Sequence, residues 1–172
     1  MNTLIMPAAA ARFNHVIAFD VSKASLSLHI LPSGETLSLQ NDGAAIRRLL
    51  KREQKRNRKQ GLGPMLVICE ATGGYEDAVL KTACTLGLDC HRAHGSGVRA
   101  YAKFRGRHAK NDPIDAALLA EYGRDKPDLE LYQPPGGCAS RLNGTAHRTQ
   151  GHDPGRDLPA RTRLPEGGSR KP

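Results

Sequence analysis

Four carboxylates are spaced in a way that suits metal-assisted chemistry: Asp20, Glu70, Asp112 and Asp115. Asp20 and Glu70 stand at the ends of the apolar runs His15-Val-Ile-Ala-Phe-Asp20-Val21 and Met65-Leu-Val-Ile-Cys-Glu70. An unpaired charge is costly at such a place, so a cation is a natural partner. Asp112 and Asp115 are three residues apart at what reads as a helix start, hence on one helix face. Oxygen donors of this kind bind Mg²⁺ or Mn²⁺, and two ions about 4 Å apart can stabilise the entering and leaving oxygens of a phosphodiester displacement. Each residue also has a plainer reading. Asp112 before Pro113 is a good N-cap, and Asp115 in a first turn meets the helix dipole favourably. Asp20 suits a strand-end turn, and Glu70 can pair with one of the many arginines. The quartet taken together favours the metal reading.

Two of these residues must be carried by strands. His15 to Val21 and Met65 to Glu70 are short, rich in β-branched residues and apolar throughout, the pattern of strands buried on both faces. Ser25 to Leu31 and Glu35 to Gln40 alternate polar and apolar residues around a turn at Pro32-Ser-Gly34, which predicts two half-buried antiparallel strands. Asn41 or Asp42 can cap a helix bearing Ile46, Leu49 and Leu50 that ends before Gly61-Leu-Gly-Pro64. Val79, Leu80, Ala83 and Leu86 recur at helical spacing, Leu88 to Ala93 reads as a further strand, and a last helix is expected from Pro113 to Tyr122. Three strands, a helix, a strand, a helix, a strand and terminal helices, with the later strands parallel through crossovers, is the ribonuclease H-like arrangement. The expected fold class is therefore α/β, a mixed sheet flanked by helices.

Domain organisation follows from composition. The chain of 172 residues has room for one domain and an appendage. Residues 1–13 are expected to be a flexible N-terminus and 14–133 the folded domain. From Pro134 to Pro172 the large aliphatic residues are only Leu142, Leu158 and Leu164, too few to offset ordering entropy, so a disordered tail is expected. Its Arg, Gly, Pro and Ala bias is what an out-of-frame reading of GC-rich DNA yields, and a frameshift near Pro134 to Gly137 is the corresponding expectation.

The net charge of +9 and pI near 9.7 favour a polyanionic partner. No run approaches the roughly 20 apolar residues of a membrane span, and the N-terminus lacks signal-peptide character, so a cytoplasmic protein with no membrane partner is expected. The four cysteines, Cys69, Cys84, Cys90 and Cys138, form no CxxC pair and are expected to be reduced. Cys84, Cys90, His91 and His94 are too irregularly spaced for a zinc site. Thr72-Gly73-Gly74 lacks the Lys-Ser/Thr of a phosphate loop and reads as a tight turn.

Arg47, Arg48, Lys51, Arg52, Lys55, Arg56, Arg58 and Lys59 form the densest positive run, suited either to phosphate contacts or to a solvated helix end. Arg99, Lys103, Arg105, Arg107 and Lys110 lead into Asp112, and with Lys23 they are the candidate nucleic-acid contacts beside the carboxylates. Tyr101 and Phe104 can stack on bases or pack in a short helix.

Four blocks resemble the DEDD transposases of bacterial insertion sequences, which include the Piv/MooV-type invertases and carry a RuvC-like N-terminal domain. They are Ile17-Ala-Phe-Asp20-Val-Ser-Lys23, Val67-Ile-Cys-Glu70-Ala-Thr-Gly-Gly-Tyr75, Val98-Arg-Ala-Tyr-Ala-Lys103 and Gly106-Arg-His-Ala-Lys110-Asn-Asp112-Pro-Ile-Asp115-Ala-Ala-Leu-Leu-Ala120. The resemblance implies that Asp20, Glu70, Asp112 and Asp115 are the family's catalytic metal ligands. The family's usual Asn-Pro before the third block is Gly95-Ser96-Gly97 here, and Asn111 stands where Thr is common. Nothing in the chain resembles the second domain of the family, which supplies a serine proposed as nucleophile, and neither Ser140 nor Ser169 suits that role.

The resulting expectation is a truncated transposase N-terminal domain for metal-dependent DNA strand cleavage or transfer in transposition or site-specific recombination. It would use Mg²⁺ or Mn²⁺ as two ions, act on DNA as a homo-oligomer or with intact transposase protomers, and take a guide RNA as the family suggests. The alternative is an inactive nucleic-acid-binding remnant that interferes with intact transposase. A 3′-5′ exonuclease also uses four carboxylates but needs a Tyr or His base in the last motif, and neither Tyr122 nor His108 has that placement.

Overall fold

A computed structural model describes residues 11–106, 115–126 and 128–135. Asp112, Arg107, Lys110, Cys138, the predicted helix start at Pro113, residues 1–10 and the tail from 136 onward lie outside the described residues.

One five-stranded sheet organises the chain. It is built from β1 (His15–Val21), β2 (Ser25–Leu31), β3 (Glu35–Gln40), β4 (Met65–Glu70) and β5 (Asp89–Ala93), in the spatial order β3-β2-β1-β4-β5. β1 pairs antiparallel with β2 and β2 with β3, whereas β1–β4 and β4–β5 are parallel. This is the mixed α/β sheet of a ribonuclease H-like fold. The antiparallel half follows from tight turns, and the parallel half from helical crossovers.

The central strands β1 and β4 carry aliphatic residues on both faces because both faces are covered. On one face Ile17, Phe19, Val21, Val67 and Cys69 pack with α1 (Gly43–Gln60) and α2 (Asp77–Thr85). On the other, Val16, Ala18, Leu66 and Ile68 pack with α3 (Gly95–Phe104) and α4 (Ala116–Asp125). Gly123 of α4 lies so close to this second face that an added Cβ would come within 3.0 Å of Leu66 and 3.2 Å of Ile68.

Of the two candidate caps for α1, Asp42 takes the role, its Oδ1 accepting from the backbone N–H groups of Ala44 and Ala45. Gly61 ends the helix in the left-handed conformation at φ 62°, donating its N–H to the Asn57 carbonyl. Glu53 of α1 is fully buried and His15 of β1 is 1% exposed. Their side chains lie 3.4 Å apart, Arg52 Nε donates to Glu53 Oε1 at 2.8 Å, and His15 Nδ1 meets Asn57 Oδ1 at 3.0 Å.

Two helices differ from expectation. The basic segment that carries Arg99, Lys103 and Arg105 belongs in large part to α3, a helix of 10 residues that begins at Gly95 and is anchored by buried Val98, with Tyr101 and Ala102 one turn later on the same side. The last helix has Asp115, in extended conformation, as its N-cap, and it continues beyond Tyr122 to Asp125. Among the described residues, Cys69, Cys84 and Cys90 are buried and none forms a disulfide, the Cys84 and Cys90 sulfurs lying 3.3 Å apart, and no helix is long and apolar enough to cross a membrane.

Candidate functional site

Side chains alternate across a strand, so a residue two beyond Ala18 or Ile68 returns to the same face. Asp20 and Glu70 are those residues, and each is the first polar position after the buried series Val16, Ala18 or Leu66, Ile68. The parallel register pairs Phe19 with Cys69, so Asp20 and Glu70 are the next residues on adjacent strands roughly 5 Å apart. Asp20 is exposed and Glu70 half-buried, at the edge of the core that α3 and α4 cover.

The first turn of α3 forms one wall. A Cβ built on Gly95 would collide with Glu70 Oε1 and would meet an Arg99 guanidinium nitrogen at 2.9 Å, so the carboxylate, the bare Gly95 backbone and Arg99 are in close approach. Burial raises the Glu70 carboxyl above the ordinary carboxylate value, the Arg99 guanidinium opposes the rise, and the negative charge of Asp20 adds to it. Like charges crowded at a partly desolvated edge are a site that a cation relieves.

The loop after Glu70 is held from within. Glu76, 2% exposed, accepts through Oε2 from Thr72 N–H at 3.1 Å, Thr72 hydroxyl at 2.8 Å and Gly74 N–H at 2.8 Å. Burial alone would raise its carboxyl, but these donors together hold it below the ordinary value. The Ala71 N–H donates to the Ala93 carbonyl at 3.0 Å, fastening the start of this loop to the end of β5. Asn41 joins the loops that follow the two carboxylates: its Nδ2 donates to the Ser22 carbonyl at 2.9 Å and to the Tyr75 carbonyl at 3.1 Å.

Asp115 sits at the head of α4, the helix that crosses the same sheet face, and its Oδ1 accepts from Leu118 N–H at 2.6 Å. It is thus the helix cap, not a first-turn residue, and one of its oxygens is already engaged. Among the described residues no group of three or more His, Cys, Asp or Glu is gathered closely enough to hold a metal ion. Asp112 lies outside those residues, so the structure brings together Asp20 and Glu70 of the predicted quartet and describes Asp115 separately.

The predicted cations divide. Arg99 is at Glu70, and Lys23 is exposed in the β1–β2 connection. Lys103 is exposed in the last turn of α3. Arg105 is committed to α4, 3.9 Å from Glu121 and 3.7 Å from Asp125. Tyr101 also serves packing: it meets Tyr122 edge-on with centroids 5.6 Å apart and donates its hydroxyl to Asp125 Oδ2 at 2.6 Å. Phe104, by contrast, is 85% exposed and Tyr75 48% exposed, the large hydrophobic side chains that face solvent among the described residues.

Sequence reasoning missed Glu76 and Asn41 as supports of the site. A carboxylate just after the Gly73-Gly74 turn was a signal for the first. Asn41 carried none beyond its weighing as a helix cap.

Residues 17–151 match a family model described as a transposase, of the DEDD type named for IS110. No curated protein matches the chain.

Proposed function

Because the chain belongs to the IS110-type DEDD transposase family, a transposase-like role with DNA as partner is its premise, and we propose that Asp20, Glu70, Asp112 and Asp115 form a divalent-metal site for DNA strand cleavage or transfer. The observation that carries this reading is the adjacency of Asp20 and Glu70 on the parallel central strands, with Glu70 raised by burial and by its acidic neighbour.

The donor set fits Mg²⁺ or Mn²⁺, which prefer carboxylate oxygens, and Asp20 and Glu70 would hold the ion with Asp112 and Asp115. Such an ion supplies Lewis-acid stabilisation of phosphate oxygens and activation of a hydroxyl nucleophile. Arg99 orients Glu70 by charge. Glu76 and Asn41 fix the loops on which Glu70 and Asp20 end, limiting the motion that would misplace either carboxylate. Lys23, Arg99 and Lys103 are candidate phosphate contacts, to which Arg107 and Lys110 are added from the sequence, and Phe104 is a candidate base-stacking surface. Assembly into homo-oligomers and a guide RNA partner extend the proposal from the family.

A second reading, a domain that grips nucleic acid without cutting it, rests on the net charge of +9. Mn²⁺-dependent nicking of supercoiled DNA by the full chain separates the two. Nicking that disappears in Asp20→Ala supports the metal site; no nicking, or equal nicking by both, defeats it.

A further inference from the structure

The face of α1 turned away from the sheet carries a run of cations that form no salt bridge among the described residues. Ile46, Leu49, Leu50 and Glu53 are the buried residues of this helix. At about 100° per residue, Arg47, Arg48, Lys51, Lys55, Arg58 and Lys59 fall within roughly 120° of arc on the opposite side. All six are exposed. Arg52 and Arg56, at the flank of this arc, are the α1 cations with acidic partners among the described residues, bonding Glu35 and Glu53. From Arg47 to Lys59 the stripe is about 18 Å long.

Within the helix, Arg47, Lys51, Lys55 and Lys59 follow at four-residue intervals, a like-charge series that costs a few tenths of a kcal/mol per pair in an isolated helix. The charges thus weaken the helix that carries them, and a polyanion reverses that effect. Arg52, Lys55, Arg56, Lys59 and Gln60 also line a shallow cleft of about 290 Å³ at the C-terminal end. No Phe, Tyr or Trp occurs between Gly43 and Gln60, so the helix has no stacking platform for unpaired bases. A straight row of exposed cations without aromatics suits the phosphate backbone of a duplex.

We propose that the outer face of α1 is a second nucleic-acid surface, which holds the backbone of double-stranded DNA on the side of the sheet opposite Asp20 and Glu70. The choice of DNA over RNA rests on the transposase reading; the surface itself does not depend on the metal site. A duplex on α1 and a strand at the carboxylates are separated by the thickness of the sheet layer, so α1 holds a segment of DNA other than the one at the carboxylates.

The test is fluorescence anisotropy of the full chain with a labelled 30-base-pair DNA duplex in EDTA, across a range of NaCl concentrations. EDTA makes the result independent of whether the carboxylates cut DNA. Contacts from all six residues would give log K a slope against log[salt] of about −5. Arg47→Gln/Lys51→Gln/Lys55→Gln, with an unchanged circular dichroism spectrum, is expected to reduce the slope by about three and to weaken binding at least ten-fold. Lys103→Gln, on the other side of the sheet, should reduce it by about one at most. Unchanged slope and affinity in the triple variant would overturn the proposal. So would tighter binding to an RNA duplex of the same sequence, or to phosphatidylserine vesicles, than to DNA.

Discussion

Glu70 and Gly95 are fitted to one another: the Glu70 carboxylate lies where a Gly95 side chain would be, and any Cβ there collides with Oε1. The constraint is steric. The atoms a Cβ there would meet, Glu70 Oε1 and an Arg99 guanidinium nitrogen, are the far ends of flexible side chains, so the glycine leaves room for this carboxylate and guanidinium to approach one another.

Gly95→Ala should therefore displace Glu70 without harming the helix, since alanine is the better helix former. The expected outcome is a loss of at least ten-fold in Mn²⁺-dependent nicking with a thermal midpoint equal to or above that of the parent. A variant that nicks normally would show that the position of Glu70 is unimportant.

Glu76 should reveal itself on the acid side of the stability curve. Its folded carboxyl lies below the ordinary value of 4.5, so its contribution is present above that value and is lost as the pH falls through the lower folded value. Glu76→Gln is expected to cost about 2 kcal/mol near pH 7 and to flatten the decline on acidification. Urea unfolding at a series of pH values measures both effects.

Removing the amide that ties the two loops should loosen the site more than the core. Asn41→Ala forfeits the bonds to Ser22 and Tyr75, an expected loss of about 1–2 kcal/mol. Hydrogen exchange is expected to accelerate at residues 22–24 and 71–75 while the central strands keep their protection. Uniform acceleration would contradict a local role.

The Glu53–His15 pair is a matter of stability, since it joins α1 to β1 on the side of the sheet away from the carboxylates. Glu53→Ala removes the carboxylate that faces buried His15 and one of the two carboxylates that Arg52 meets, an expected destabilisation of about 1–3 kcal/mol read by urea unfolding.

The strands were legible because their patterns are local. Unbroken apolar runs gave β1 and β4, alternation gave β2 and β3, and the turn at Pro32-Ser-Gly34 set their antiparallel pairing. The ends of those runs placed Asp20 and Glu70 correctly as neighbours. α3 was not legible as a helix from its start, because Gly95-Ser96-Gly97 reads as loop and its buried positions are sparse; its stability comes from packing on Ala93, Tyr122 and Leu119 within the second core. With the helix start expected at Pro113, Asp115 was read as the third helical residue, whereas it is the N-cap of α4; cap and first-turn residues have similar compositions and only backbone conformation separates them. Asn41 acts through bonds that exist only once two loops are folded together, whereas Glu76 acts within its own loop, through donors two and four residues before it.

The most direct test of the metal site is Mn²⁺ binding, followed by loss of the free-ion electron paramagnetic resonance signal on titrating the full chain. The wild-type protein should bind Mn²⁺, and Asp20→Asn and Glu70→Gln should each weaken binding at least ten-fold while retaining the parent circular dichroism spectrum. Equal Mn²⁺ affinity in the wild type and both variants would contradict the account.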